Sequence, residues 1–271
     1  MSKVKIEWKV DDGHTPSEAR AETATAFVVF QEIGCHLIFD VMMDFTRKAR
    51  FVARGNTTEA PSSTTYSSVV SRDSVRLAFT IAALNGVDVM PCDLENTYLN
   101  AMCRKKIWFK GGTECGEDKG KVLIVVRELY GFKSAVLSWR AALEQVLKDL
   151  DFVSTLADPD VWIQYTVRED GLKYYEMLFV YVENILAVLH KSTDVIKEVT
   201  EFYRAKEGSI NPPDIYLVAD IMKVQIPDGY EVCGSSSRDY VKNEVITIER
   251  LFEKNGESYT LRDTVKAPSP L

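Results

Sequence analysis

Residues 177–189, MLFVYVENILAVL, contain two apolar runs, each long enough for a buried strand, parted by Glu183 and Asn184. The pattern predicts a β-hairpin with a polar tip, and a carboxylate held at the end of a rigid ribbon can reach a metal ion or a partner. A second acid, Asp93, stands where the apolar run 87–92 ends. Carboxylates converging from separate strands are what metal-assisted phosphoryl transfer requires. Two cations sit about 3.5–4 Å apart, one lowering the pKa of the attacking hydroxyl and both stabilising charge on the transferring phosphate. Taken alone, an acid at a strand end is more often a solvated turn residue. Basic groups cluster elsewhere, at Arg47, Lys48, Arg50 and Arg54, on the second of two strands expected over 37–54. Strand alternation sends Lys48 and Arg50 to one face, where two cations could meet a polyphosphate. The plain alternative is a solvated edge strand whose charges discourage aggregation.

These groups need elements to position them. Ser71 reads as the N-cap of a helix over 72–84 that ends at Asn85-Gly86. A strand over 87–92 then delivers Asp93, and 94–101 turn away from it. Strands over 106–109 and 121–126 flank a loop with Gly111, Gly112, Gly116 and Gly120. That spacing matches no phosphate cradle, so the loop is a hairpin connection. Helices are expected over 134–150, 194–206 and 237–254, the last stopped by Asn255-Gly256, and strands over 161–167, 174–182 and 185–190. The Ser- and Thr-rich stretch 56–68 is a loop. Irregular alternation of helices with antiparallel hairpins implies an α+β fold rather than a doubly wound one.

The 271 residues suffice for one large domain or two small ones, and 46% hydrophobic with 27% charged residues describes an ordinary globular chain. A net charge of -7 argues against nonspecific coating of nucleic acid but allows a local basic groove. Five cysteines without a CxxC pair and three scattered histidines speak against a zinc cluster or a disulfide framework. With no secretory leader and no run of about 18 apolar residues, the chain is expected to be intracellular, in cytoplasm or nucleus, neither secreted nor in a membrane.

The segments FDVMMDFTRKARFVARG, YSSVVSRDSVRLAF, CDLENTYLNA, LYGFKSAVLSW, ADPDVW, YYEMLFVYVEN and IYLVADI follow one another in an order and spacing that resembles the reverse transcriptase of copia-type retrotransposons. The resemblance covers 33–254. It implies a right-hand polymerase fold: a poorly defined N-terminal segment over 1–35, fingers and palm over 36–235, and a thumb-like helix with a truncated linker over 236–271. It also implies RNA-directed DNA synthesis with two Mg²⁺ ions, dNTPs and an RNA or DNA primer-template, with any subunit partner unknown. Carried over position by position, Asp93 falls on the first catalytic aspartate, and Asp93 with Glu183 would form the metal site. Glu183 and Asn184 fall on the catalytic pair, and Lys206 on a lysine that protonates departing pyrophosphate. Lys48, Arg50, Tyr98, Gly131 and Lys133 fall on the nucleotide-binding positions, Tyr98 packing under the incoming sugar. For Tyr98 a core aromatic, and for Lys206 a solvated lysine at a helix end, are the ordinary alternatives.

The chain departs from the pattern where it matters most. Tyr-x-Asp-Asp is replaced by Tyr181-Val182-Glu183-Asn184. The extra methylene of Glu183 moves its carboxylate by about 1 Å, a misplacement that can cost ~10²-fold in rate. Asn184 offers only a neutral carbonyl, and loss of one preorganised electrostatic group costs a further ~10²–10³-fold. Val218 stands where the primer-gripping hairpin has Gly, Phe132 where the family has Leu, and Val136-Leu137 at places often small or polar. Asp158, Asp160 and Glu95 offer no replacement ligand. The expectation is a reverse transcriptase domain with absent or crippled activity. The alternatives are a non-catalytic nucleic-acid-binding or scaffold protein, and a relic without selected function. The ending KAPSPL reads as a linker cut short, and no integrase or RNase H region is expected within the chain.

Overall fold

A computed structural model of the chain describes residues 8–10, 30–41, 47–58, 67–210, 215–216, 219–225, 227–229, 231–236 and 238–256. Two compact units emerge, Met1–Phe39 with Ala49–Pro212, and Asp40–Lys48 with Pro213–Leu271. In chain order the first elements are β1 (Trp8–Val10), β2 (Gln31–Glu32), β3 (Cys35–Val41) and β4 (Arg47–Ala53). They are followed by α1 (Arg72–Asn85), β5 (Asp88–Asp93), α2 (Thr97–Asn100), β6 (Ile107–Lys110) and β7 (Val122–Val125). Then come α3 (Ala135–Asp149), β8 (Val153–Ser154), β9 (Val161–Val167), β10 (Lys173–Tyr181), β11 (Asn184–Leu189) and α4 (Ser192–Phe202). The second unit holds β12 (Ile215–Tyr216), β13 (Ala219–Gln225), β14 (Glu231–Ser236) and α5 (Arg238–Lys254). Mixed helix and largely antiparallel sheet, with β2 and β6 the parallel pair, make this an α+β chain, as expected.

The site-bearing framework is a five-stranded antiparallel sheet in the order β5-β11-β10-β9-β8. The unbroken apolar run of β11 marks a strand covered on both faces, and Ile185, Leu186, Ala187, Val188 and Leu189 are all buried. Leu178, Val180, Ala187 and Leu189 pack with Trp139, Leu143 and Leu147 of α3 and with Ile196 and Val199 of α4. α1, whose buried residues are Ala78, Phe79 and Ala82, packs on β5, β10 and β11. Each such Leu, Ile or Phe contributes roughly 1.5–3 kcal/mol by leaving water. Both ends of α1 behave as the sequence implies: the Ser71 hydroxyl accepts from the Ser74 N–H, and Gly86 adopts a left-handed backbone with φ 59°.

β5 is an outer strand of this sheet and carries Pro91. The backbone N–H and carbonyl of Asp93 point outward, to Ser209 and Lys206 respectively, so Pro91, two residues earlier, also turns its donor-less nitrogen outward.

A second core lies around the sheet β1-β7-β6-β2. It joins Ile33, Phe51, Ile107, Phe109, Leu123, Leu129 and Phe132, with the rings of Phe51 and Phe109 5.5 Å apart. Phe132 is thus a core residue. Two glycines let the chain close here. A Cβ on Gly131, where φ is +94°, would lie 2.1 Å from the Ala53 carbonyl oxygen, and one on Gly55 would lie 1.8 Å from that of Gly131.

Three local features differ from the sequence reading. α4 stops at Phe202 instead of running to 206. Ala205 instead bridges to Leu94, with Glu95 N–H donating to the Arg204 carbonyl at 2.8 Å and Lys206 N–H to that of Asp93 at 2.8 Å. Pairing with the end of β5 captures these residues in extended form against their helical periodicity. The tip of the β10–β11 hairpin is Val182-Glu183, and Asn184 already belongs to β11, opposite Tyr181. In the second unit β12, β13 and β14 form an antiparallel sheet and α5 packs on β13; the sequence pattern of α5 puts Val241, Val245, Ile248 and Phe252 on one apolar side, yet Val241 and Ile248 remain exposed. Val218 lies outside the described residues.

Candidate active site

Asp93 and Asn184 are cross-strand partners in the β5–β11 pairing. Because Asp93 turns its backbone groups away from β11, the two form a non-hydrogen-bonded pair, the geometry in which side chains lie closest on one face. Glu183, in the turn one residue earlier, is locked to the same strand end, where the Leu94 N–H donates to its carbonyl at 2.9 Å. The turn is tight and unusual. Val182 has φ +53°, in the left-handed region that a β-branched side chain resists. The buried indole of Trp139 holds it there by donating Nε1–H to the Val182 carbonyl at 2.7 Å. Trp139 in turn meets Tyr203 edge-on, ring centres 4.8 Å apart.

Lys206 joins the two acids. Its Nζ lies 2.5 Å from Asp93 Oδ2 and 3.8 Å from Glu183 Oε1. The other Glu183 oxygen accepts from the hydroxyl of Thr97, a fully buried residue, at 3.4 Å. Asp93 Oδ1 is buried without a hydrogen-bond partner. Beneath the acids, Tyr98 and Tyr130 meet edge-on at 4.9 Å. Burial and then the charge of Glu183 raise the phenol pKa of both, so they stay protonated.

The sequence reading brought Asp93, Glu183, Asn184, Lys206 and Tyr98 to one place, and the structure places all five around one strand end. Lys133 donates from Nζ to the Thr58 carbonyl at 2.9 Å, and Gly131 meets the backbone of Ala53. Arg50 is on β4 in the first unit, whereas Lys48, exposed on the same strand, belongs to the second. Nothing in the local sequence singles out Thr97, Tyr130, Trp139 and Ser209. Tyr130 and Trp139 lie inside the LYGFKSAVLSW segment, and Thr97 four residues beyond Asp93, so only the fold separates them from their neighbours. The other acids are engaged elsewhere. Glu95 pairs with Arg204 at 3.5 Å, Asp158 accepts from Ser71 and Ser74, and Asp160 pairs with Arg140 at 3.2 Å.

The family model for reverse transcriptase (RNA-dependent DNA polymerase) matches residues 30–257. The chain belongs to this reverse transcriptase family. Over 125 residues, 45% of its length, it is 25% identical to the retrovirus-related Pol polyprotein from transposon TNT 1-94 of Nicotiana tabacum, of which the match spans 9%. The two matches identify a copia-type reverse transcriptase domain.

Reverse transcriptases generally use divalent metal ions, and the donor set here can be weighed against that need. Asp93 and Glu183 supply two carboxylates, Asn184 adds a neutral amide, and an ammonium already binds Asp93 Oδ2. Among the described residues no group of three or more His, Cys, Asp or Glu side chains could hold a metal ion. Such a set does not fit a pair of divalent cations, which need several carboxylate oxygens in common.

Proposed function

We propose that this domain descends from an RNA-directed DNA polymerase and has lost, or nearly lost, nucleotidyl transfer. One observation carries the reading. Glu183 and Asn184 occupy the turn and strand positions beside Asp93 where the family pattern has two aspartates, and the compensating cation at that place is the chain's own Lys206. In this reading the first unit corresponds to palm and fingers, and α5 to the start of a thumb. Tyr98 lines the sugar position, while Lys48, Arg50, Gly131 and Lys133 each keep the residue type of a nucleotide-binding position. The ancestral partners are dNTPs and a primer-template in an intracellular compartment. No helix among the described residues is long and apolar enough to cross a membrane.

Primer extension by the purified chain, with Mg²⁺ and separately with Mn²⁺, tests the proposal. The expected result is no extension, and robust synthesis by the unmodified chain would overturn it. Glu183→Asp combined with Asn184→Asp restores measurable extension if the acids are the main defect.

A second reading, a non-catalytic nucleic-acid binder, is favoured by the exposed Arg47 and Lys48 on β4. Filter binding at increasing salt separates the two. A steep loss of affinity indicates retained phosphate contacts, and negligible binding at low salt dismisses this role.

A further inference from the structure

We propose that Lys206 is a built-in counter-ion that holds the cation position between Asp93 and Glu183 and keeps divalent metals out of it. The inference rests on reading Asp93 and Glu183 as the remains of the metal site. It goes further by saying what now fills that place.

The lysine is delivered by backbone, not by side-chain reach alone. Ala205 bridges to Leu94, the Lys206 N–H donates to the Asp93 carbonyl at 2.8 Å, and the Ser209 hydroxyl accepts from the Asp93 N–H at 3.3 Å. These contacts fix the stem of the side chain beside the carboxylate it neutralises. An ammonium anchored in this way loses less freedom on pairing than one on a free helix end. At the other carboxylate, the longer side chain of Glu183 brings Oε1 to 3.8 Å from Nζ while Thr97 steadies Oε2.

Charge arithmetic favours the lysine over a divalent ion. Asp93 and Glu183 together carry two negative charges, Asn184 none, and Lys206 one positive, so the net charge at the site is a single negative one. A third aspartate would have left two. An entering Mg²⁺ must displace the ammonium and then finds only two carboxylates, too few for tight oxygen coordination. The side chain of Lys206 is 40% exposed, so salt screens the pair partly, and exclusion is a matter of competition and not of steric closure.

The test is Mn²⁺ binding to the full chain, followed by electron paramagnetic resonance, for the unmodified protein and for Lys206→Gln, Lys206→Arg and Lys206→Gln with Asp93→Asn. The unmodified chain and Lys206→Arg are expected to show no saturable site tighter than about 1 mM. Lys206→Gln gains about one site with at least tenfold higher affinity, and adding Asp93→Asn abolishes the gain. Saturable submillimolar binding by the unmodified chain overturns the proposal by itself, whether or not the variants fold. Equal affinity of Lys206→Gln and the unmodified chain, both showing native circular dichroism, also overturns it. Primer extension by the unmodified chain would sink both the proposed loss of activity and the counter-ion, since extension needs metal in the site. Tight Mn²⁺ binding without extension would sink only the counter-ion.

Discussion

Trp139 and Val182, 43 residues apart, are joined by a 2.7 Å hydrogen bond from the indole N–H to the carbonyl of the hairpin turn. The bond satisfies a carbonyl that the left-handed backbone of Val182 turns toward α3 instead of along the ladder. Trp139→Phe keeps an aromatic ring in the core but removes the donor. It is expected to cost about 1–3 kcal/mol, the penalty of an unpaired buried acceptor. At about 2–4 °C per kcal/mol for a domain of this size, thermal unfolding should fall by several degrees. An unchanged midpoint would show that the turn does not depend on the indole.

Gly131→Ala and Gly55→Ala should both be severely destabilising. The added methyl meets a backbone carbonyl oxygen at 2.1 or 1.8 Å, and neither neighbour is a side chain that can swing away. Gly86→Ala is the control: its φ is +59° but nothing lies within 4 Å of the new methyl, so only the left-handed penalty of roughly 1–2 kcal/mol applies. Soluble yield and melting temperature rank the three, and equal losses would refute the close approach.

Much of the framework was legible because its signals are local. Ser71 before an amphipathic run, Gly86 after it, and the apolar strands around 183 each announce an element within a few residues. The extended backbone that carries Lys206 to the site was not legible. The helical periodicity there is real, yet pairing of Ala205 with Leu94, more than a hundred residues away, decides the conformation. Nor does Tyr-Val-Glu-Asn indicate that the turn begins at Val182, since a valine is among the last residues one would place at positive φ.

Glu128 is buried with its carboxylate against the hydroxyls of Ser138 at 2.7 Å and Ser134 at 3.2 Å. Burial raises its pKa above the ordinary 4.5 despite these two donors. A carboxyl whose folded pKa is raised binds its proton more tightly in the native state, so folding loses stability as pH climbs from the ordinary value through the folded one. Glu128→Gln removes that loss. Its stability relative to the unmodified chain is expected to increase from pH 4 to pH 7 in urea titrations, and a difference independent of pH would contradict the shift.

Asp158 behaves in the opposite sense. Burial pushes it up, but the Ser74 hydroxyl at 2.6 Å and the N–H groups of Ser71 and Asp160 outweigh that and hold it below the ordinary 3.8. Its contribution is present above 3.8 and disappears as pH falls through the lower folded value. Asp158→Asn should cost about 1.5–3 kcal/mol at pH 7, the worth of hydrogen bonds to a charged group. That cost should shrink in acid below pH 3.8, which denaturant titrations across the range will show.

Burial lifts the thiols of Cys35 and Cys92 to about 12 and that of Cys103 to about 11. Alkylation at pH 8 followed by peptide mass spectrometry should leave these three unlabelled in the native protein and labelled in urea. Rapid native labelling of any of them would show that its surroundings open readily.

The outward-facing nitrogen of Pro91 has a consequence for how this protein meets copies of itself. A sheet grows by adding a neighbour wherever an outer strand presents free amide hydrogens. On β5 the proline offers none, and Asp93, two residues on, has its backbone occupied by Ser209 and Lys206. At the far side of the sheet, β8 is only two residues long. Crowded chains therefore meet a poor template for cross-β recruitment at Pro91, at Asp93 and at the two-residue β8.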